Sequence, residues 1–479
     1  MSRKKLLLVS LFVFIIKLGT VYYLQKLTIC NSPDLKAGEL SIIGGDTFSY
    51  IGAIENYRTT GEYFFYNQHP TQKTKIYAGR MPYYGIPYYV FRLFFDKSVS
   101  ADLVIITQIL LESLSIVVLA LLILQIIQKK IFFVLSILAM LVSLNTTSWS
   151  FYLLPESYSV SLLIFFIYNY YSYLSSRINK YLYLSGLFLS FLCLLKPYFV
   201  LLFVLLGIEF IRYDKKYKIV LQKSVYVSLP LLIMLSPWIV RNYIVYKKIV
   251  PFQEDTTGGY WLSQSHQAMN NFIKCWGGNT VFWETKAPSY YFLHEDKYTK
   301  EYVFPSYALT EAYTTKELSV LKQRMIELNQ NYTEKEDIKL AQEFDKLSAN
   351  YQKEKPLNYY LLSSLRRVKD LIFHSGSYYL PVNQWFKCYE SYQMIIKIGQ
   401  SLLYYGTLVF GFMGLIYGVN NYKNYTFIAI PIYILILFCF FIKLAEWRFW
   451  IPSYPILMIG TIYFMDKLIK YKTKNNVNT

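Results

Sequence analysis

Residues 103–127 read LVIITQILLESLSIVVLALLILQII and are closed by Gln128, Lys129 and Lys130. An apolar helix needs about 20 residues to cross the hydrocarbon of a bilayer. This stretch is long enough, and its basic residues come only at its end. It sets the scale for the rest of the chain.

Working outward toward the N-terminus, residues 6–24 form a first apolar run behind Arg3, Lys4 and Lys5. It has the look of a signal peptide, but no small-residue cleavage site follows closely, so it is expected to stay as a first helix. Lys17 lies inside it, and a charge at that depth is costly enough to predict that it faces protein. Residues 83–95, bounded by Pro82 and Pro87, suit an interfacial helix better than a span.

Toward the C-terminus, further spans are predicted at 131–149 and 158–174. Residues 182–211 exceed one crossing and are cut by Lys196-Pro197, where proline disfavours helix at the preceding residue. Two short spans meeting there are expected. Runs at 225–240, 396–419, 427–444 and 451–468 bring the total to about ten. The predicted fold is an all-α integral membrane bundle with three parts. A transmembrane module covers 1–243 with its first loop at 28–97, a polar soluble or interfacial region covers 244–395, and C-terminal spans with a basic tail cover 396–479.

The composition agrees. Of 479 residues 54% are hydrophobic, 19% aromatic and only 16% charged, where a soluble protein would carry about a quarter charged residues. The net charge of +19 would suggest nucleic acid in a soluble chain, but here the cations sit in short links between apolar runs. No nucleic-acid partner is predicted. The five scattered cysteines contain no CxxC pair and the four histidines lie far apart, so neither a disulfide framework nor a metal or other cofactor is predicted. No P-loop is present.

Charge also orients the bundle. If the spans alternate, the N-terminus, Lys129, Arg177, Lys215, Lys423 and the tail from Lys467 to Lys474 share one side, which the positive-inside rule makes the cytoplasm. The other side then receives residues 28–97, 145–157, the Lys196-Pro197 break, 241–387 and 446–450. Within the polar region, 315–353 has helical charge spacing. Residues 357–373 have apolar residues at helical intervals with Arg366, Arg367 and Lys369 on another face, a pattern that suits a membrane surface.

The ionisable residues of the outer face are the candidates for chemistry. Asp46, in Gly44-Gly45-Asp46-Thr47, suits a general base on an acceptor, or a simple N-cap for a helix over 47–57. Arg80 suits a phosphate, or snorkels to headgroups. Glu156 after Pro155 is ordinary at a helix start, and Lys196 reaches either a phosphate or the interface. Arg241 closes Pro237-Trp238-Ile239-Val240-Arg241, and Glu446 and Arg448 either pair or meet a lipid phosphate. Each is weak alone. Their shared side points to one site for a charged, lipid-borne substrate.

The order of these features resembles the GT-C membrane glycosyltransferases, in the branch of protein O-mannosyltransferases and lipid A aminoarabinose transferases. The matching residues are Asp46 with Tyr50; Arg80-Met81-Pro82 through Pro87; Pro155-Glu156; Lys196-Pro197; Pro237 to Tyr243 followed by Thr256-Thr257-Gly258-Gly259-Tyr260; and Arg448 to Pro452. Many members carry Asp-Glu in the first loop, where this chain has Asp46-Thr47. The resemblance implies inverting transfer of a sugar from a polyprenyl-phosphate donor to a glycan, lipid or protein acceptor on the extracytoplasmic face. It implies Asp46 as the catalytic residue and Arg241, Lys196 and Arg448 as ligands of the donor phosphate. Arg80, Tyr50, Glu156 and Glu446 are expected to contact substrate. The alternative is a transporter or flippase of a lipid-linked or anionic substrate. Heavy use of Lys, Asn, Ile and Tyr favours a multi-pass protein of a bacterial inner membrane.

Overall fold

A computed structural model describes residues 2–31, 33–67, 73–214, 216–254, 262–374, 380–383, 386–422 and 425–477. The Thr256-to-Tyr260 stretch, Lys215 and Lys423 lie outside them. The chain is helical almost throughout. A four-residue antiparallel ribbon, β1 (Phe65–Tyr66) and β2 (Lys75–Ile76), pairs Phe65 with Ile76 and departs from the all-α expectation.

The first part runs α1 (Arg3–Asn31), α2 (Ala53–Thr60), α3 (Gly85–Arg92), α4 (Lys97–Ile127), α5 (Lys130–Val142), α6 (Leu144–Thr147) and α7 (Glu156–Ser176). It continues through α8 (Asn179–Leu195), α9 (Leu201–Tyr213) and α10 (Tyr217–Tyr246). The polar part holds α11 (Gln264–Trp276), α12 (Pro288–Leu293), α13 (Lys297–Lys300), α14 (Thr315–Gln330), α15 (Glu334–Glu354) and α16 (Ser363–Ile372). The chain ends with α17 (Ser391–Tyr422), α18 (Thr426–Ile436) and α19 (Tyr454–Val477).

Among the described residues, α1, α4, α10 and α17 are long and apolar enough to cross a membrane. Shorter apolar helices are α5, α8 and the run Thr426–Ile442, in which α18 passes into a π-helix. The predicted span at 131–149 is not one helix. α5 stops at Val142, because the polar run from Ser143 to Ser148 cannot continue an apolar span. Gln400 of α17 takes over the broken ends, accepting from the Leu144 amide at 2.8 Å and donating to the Val142 carbonyl at 3.0 Å. The break at Lys196-Pro197 is present. α8 ends at Leu195, Lys196 is extended (φ −139°, ψ 91°), and a 3-10 turn leads into α9. By contrast Pro230 and Pro237 lie inside α10 without ending it.

Two cores form. The larger joins α1, α4, α5, α7–α10 and α17–α19, and a second is drawn from residues 268–351. Helices α17 and α19 meet at glycines. A Cβ on Gly414 would stand 1.8 Å from the Gly460 carbonyl oxygen, so small residues alone permit this crossing. Lys17 is fully buried, its ammonium 3.1 Å from Glu112 of α4. Glu112 also accepts from Thr147 at 3.1 Å and Ser150 at 2.5 Å. A charge pair in the apolar bundle is thereby satisfied on both sides.

Candidate functional site

The site is assembled from loops that are pinned before they reach it. Asp102 gathers the amides of Glu39, Leu40 and Ser41 and the Ser41 hydroxyl, at 2.8–3.0 Å. The chain then pairs with residues 151–153: the Ile42 amide donates to Phe151 and the Leu153 amide to Ile42. The Thr47 hydroxyl accepts from the Gly44 amide at 2.8 Å and donates to the Leu153 carbonyl at 3.2 Å. The loop passes close to Leu154 here, since a Cβ on Gly44 would stand 2.8 Å from its Cδ1. These contacts hold Asp46 beside Glu156, the first residue of α7.

Arg448 joins them. Its Nη1 lies 2.8 Å from Asp46 Oδ2 and 3.8 Å from Glu156 Oε1, and its Nε lies 2.6 Å from Glu446 Oε1. Lys196, freed from helix geometry by the break, donates to Glu156 Oε1 at 2.7 Å. Arg80 comes within 3.9 Å of Asp46 Oδ2, donates to the Ser49 hydroxyl at 3.4 Å, and lays its guanidinium over the Tyr50 ring at 4.9 Å. Seven of the eight expected residues therefore form one contact network of three carboxylates, three cations and an aromatic ring. The side chain of Asp46 caps no helix: Thr47 occupies the cap position of the turn that follows, without a side-chain bond.

The carboxylates differ. Burial opposes ionisation of Asp46, yet Arg448 and Arg80 outweigh it and hold the carboxyl below its ordinary range. Burial pushes Glu446 up to about 7 against the pull of Arg448. Buried Oε2 of Glu156 receives no hydrogen bond from the described residues, which leaves an acceptor open inside the site.

Arg241 stands apart from the network. It donates to the carbonyls of Tyr63 and Tyr77, each at 2.6 Å, and sits among the rings of Tyr63, Tyr77 and Trp238. Tyr63 in turn donates to the Arg80 carbonyl at 3.2 Å. The expected phosphate ligand thus fastens the ribbon loop that precedes Arg80, and among the described residues it meets the cluster through Tyr63 and not directly.

Sequence reading missed several neighbours. Ser49 receives Arg80, and Ser150, which donates to Glu112 and accepts from the Ser157 hydroxyl at 3.1 Å, connects the buried Glu112 to the start of α7. A small cleft beside Trp447 is lined by Asn145, His374, Gln400, Ser401 and Tyr404. His374 stacks on Trp447 and lies 3.2 Å from Glu284. The only prior signal for Ser150 was its position in the polar run before Pro155.

No family model matches this chain, and no curated protein matches it. Among solved structures it matches the archaeal oligosaccharyltransferase AglB from Archaeoglobus fulgidus, in complex with an inhibitory peptide and a dolichol-phosphate, at 10% identity and a TM-score of 0.47. The match covers 98% of this chain and 52% of that one, so the chain spans about half the length of that structure. A likeness of this degree assigns neither activity nor site residues to the chain.

Proposed function

We propose that this chain is an inverting glycosyltransferase of the GT-C type. In this reading it has about ten membrane spans, and it moves a sugar from a polyprenyl-phosphate lipid to an acceptor on the outer face of a bacterial inner membrane. The observation that carries the reading is the meeting of Asp46, Glu156 and Arg448 with Lys196 and Arg80 at the ends of apolar helices. Three cations beside a membrane boundary suit a phosphate carried on a lipid, and an ionised carboxylate among them suits an acceptor hydroxyl or amine.

The chemistry balances as a single displacement. The acceptor heteroatom attacks the anomeric carbon from the face opposite the phosphate, and the carbon–oxygen bond to the phosphate breaks. The bonding pair leaves with the lipid phosphate, whose charge grows in the transition state. Arg448 and Lys196 stabilise that charge, with Arg80 beside them. Asp46 orients the acceptor and takes its proton as the new bond forms. Glu156, through its open oxygen, accepts a hydroxyl of the sugar. Arg241 serves at one remove, by holding the loop that carries Arg80.

The test is turnover by purified protein in detergent with a polyprenyl-phosphate sugar and candidate acceptors. Transfer needs no sealed compartment, whereas a transporter or flippase does. Stoichiometric release of polyprenyl phosphate with inverted product supports the proposal; activity seen only as movement across sealed vesicles contradicts it.

A further inference from the structure

The helical run from Asn358 through Ile372 buries an arginine and two serines while turning leucines outward. A π-turn over Asn358–Leu362 leads into α16, and the residues packed inward are Ser363, Ser364, Arg367, Leu371 and Ile372. Arg367 is 1% exposed; it donates to the Cys439 carbonyl at 3.1 Å and to the Lys274 carbonyl. The outward row at four-residue spacing is Leu357, Leu361, Leu365, Lys369 and Phe373, with Tyr360 beside it. Leu357 and Tyr360 are each 63% exposed. In water this arrangement is backwards, since a helix on a soluble domain presents its polar side outward.

Its place in the fold explains the inversion. Arg367 is bonded to the π-helical end of the α18 run, and the Tyr404 hydroxyl of α17 donates to the Ile372 carbonyl at 2.7 Å. Phe373 stacks on Tyr405 of the same apolar helix. The outward row thus meets the apolar helix α17 at Phe373, and the helices it is tied to expose Leu402 to 71% and Phe441 to 75%. Lys369, in the row, is exposed, with its ammonium 3.7 Å from Asp370, and gives the edge a basic group.

We propose that the outer face of residues 357–373 lies in the headgroup region of the bilayer, as a peripheral contact that seats the polar unit on an anionic membrane surface. Lys369 reaches lipid phosphates while the leucines enter the acyl boundary. The same helix leads directly to His374, which stacks on Trp447 between Glu446 and Arg448. Seating it fixes the depth of the ionic cluster relative to a lipid phosphate. The inference rests on the chain being a membrane protein, and glycosyl transfer is neither assumed nor measured in its test.

The test uses the full chain in nanodiscs containing phosphatidylglycerol, with the exposed Cys30 and Cys388 replaced by serine. Nitroxide labels are placed by Leu361→Cys and Leu365→Cys, with Leu402→Cys as a lipid-facing reference and Lys353→Cys as an aqueous one. Positions 361 and 365 are expected to follow 402, relaxing more with oxygen than with a nickel chelate, while 353 shows the reverse. If 361 and 365 follow 353, or are shielded from both relaxants as a second copy or bound protein would shield them, the proposal is overturned. Should the variants fail to fold, a phospholipid carrying a photoactivatable diazirine near its glycerol is used on the unaltered protein. Adducts are expected between Lys355 and Arg366; labelling of the apolar helices without any there overturns it equally.

Discussion

Arg448 and Asp46, 402 residues apart in sequence, meet at 2.8 Å through Nη1 and Oδ2. The contact ties the first loop of the chain to its last turn, and the same guanidinium reaches Glu156 and Glu446. Asp46→Asn keeps the shape and removes the charge. It is expected to lower the transfer rate by on the order of 10²–10⁴-fold, the range for a lost general base, with a modest fall in Tm at neutral pH because the charge that Arg448 and Arg80 face is gone. Single-turnover rates alongside a melting curve check this.

Arg448→Lys keeps one positive charge and loses the planar fork that spans three carboxylates. The rate is expected to fall by roughly 10²–10³-fold, as when one donor to a developing oxyanion is removed. Much of the loss should fall on kcat, because the charge it meets is greatest in the transition state. Separate kcat and KM values for the donor lipid distinguish this from weakened binding alone.

Glu446 gives a pH signature. Its carboxyl is raised from 4.5 to about 7 by burial, so the folded protein holds this proton more tightly than the unfolded chain does. The stability this contributes is complete below 4.5 and is lost as pH rises through about 7. Glu446→Gln should flatten the fall in Tm across that window. Asp46, shifted down, acts in the opposite sense, contributing stability above its ordinary range that is lost in acid.

The Lys17–Glu112 pair is wholly buried. Lys17→Met leaves Glu112 uncompensated and is expected to cost about 3–5 kcal/mol, the usual penalty for breaking a buried pair. Lys17→Met with Glu112→Met should recover most of it, because an apolar pair of similar volume is often neutral. Denaturation midpoints of the two variants in one detergent provide the comparison.

Gly414→Leu tests the crossing of α17 with α19. A side chain there collides with the Gly460 backbone, which cannot give way as a flexible side chain would. A loss of about 1–3 kcal/mol or more is expected from such overpacking, whereas Gly406→Ala, in open space on the same helix, should be nearly silent.

Much of this was legible in the chain. Apolar length located α1, α4, α10 and α17, the proline at 197 located the break, and the ionisable residues between apolar runs located six members of the cluster. Lys17 was expected to face protein, but its partner Glu112 went unremarked, because one carboxylate in a long apolar run carries no label for its contact. The span over 131–149 failed for a related reason: hydropathy averaged across Ser143 to Ser148 hides a polar turn that Gln400, far along the chain, makes affordable. Arg241 looked like its fellows by motif, and only the Tyr63 and Tyr77 carbonyls separate it from them.

The most direct measurement is retention of the lipid itself. Native mass spectrometry of the purified protein with added polyprenyl phosphate should show one bound lipid, lost when Lys196 and Arg448 are both replaced by alanine and kept in Arg241→Ala. If the double variant holds the lipid as tightly as the unaltered protein, the cluster is not the phosphate site.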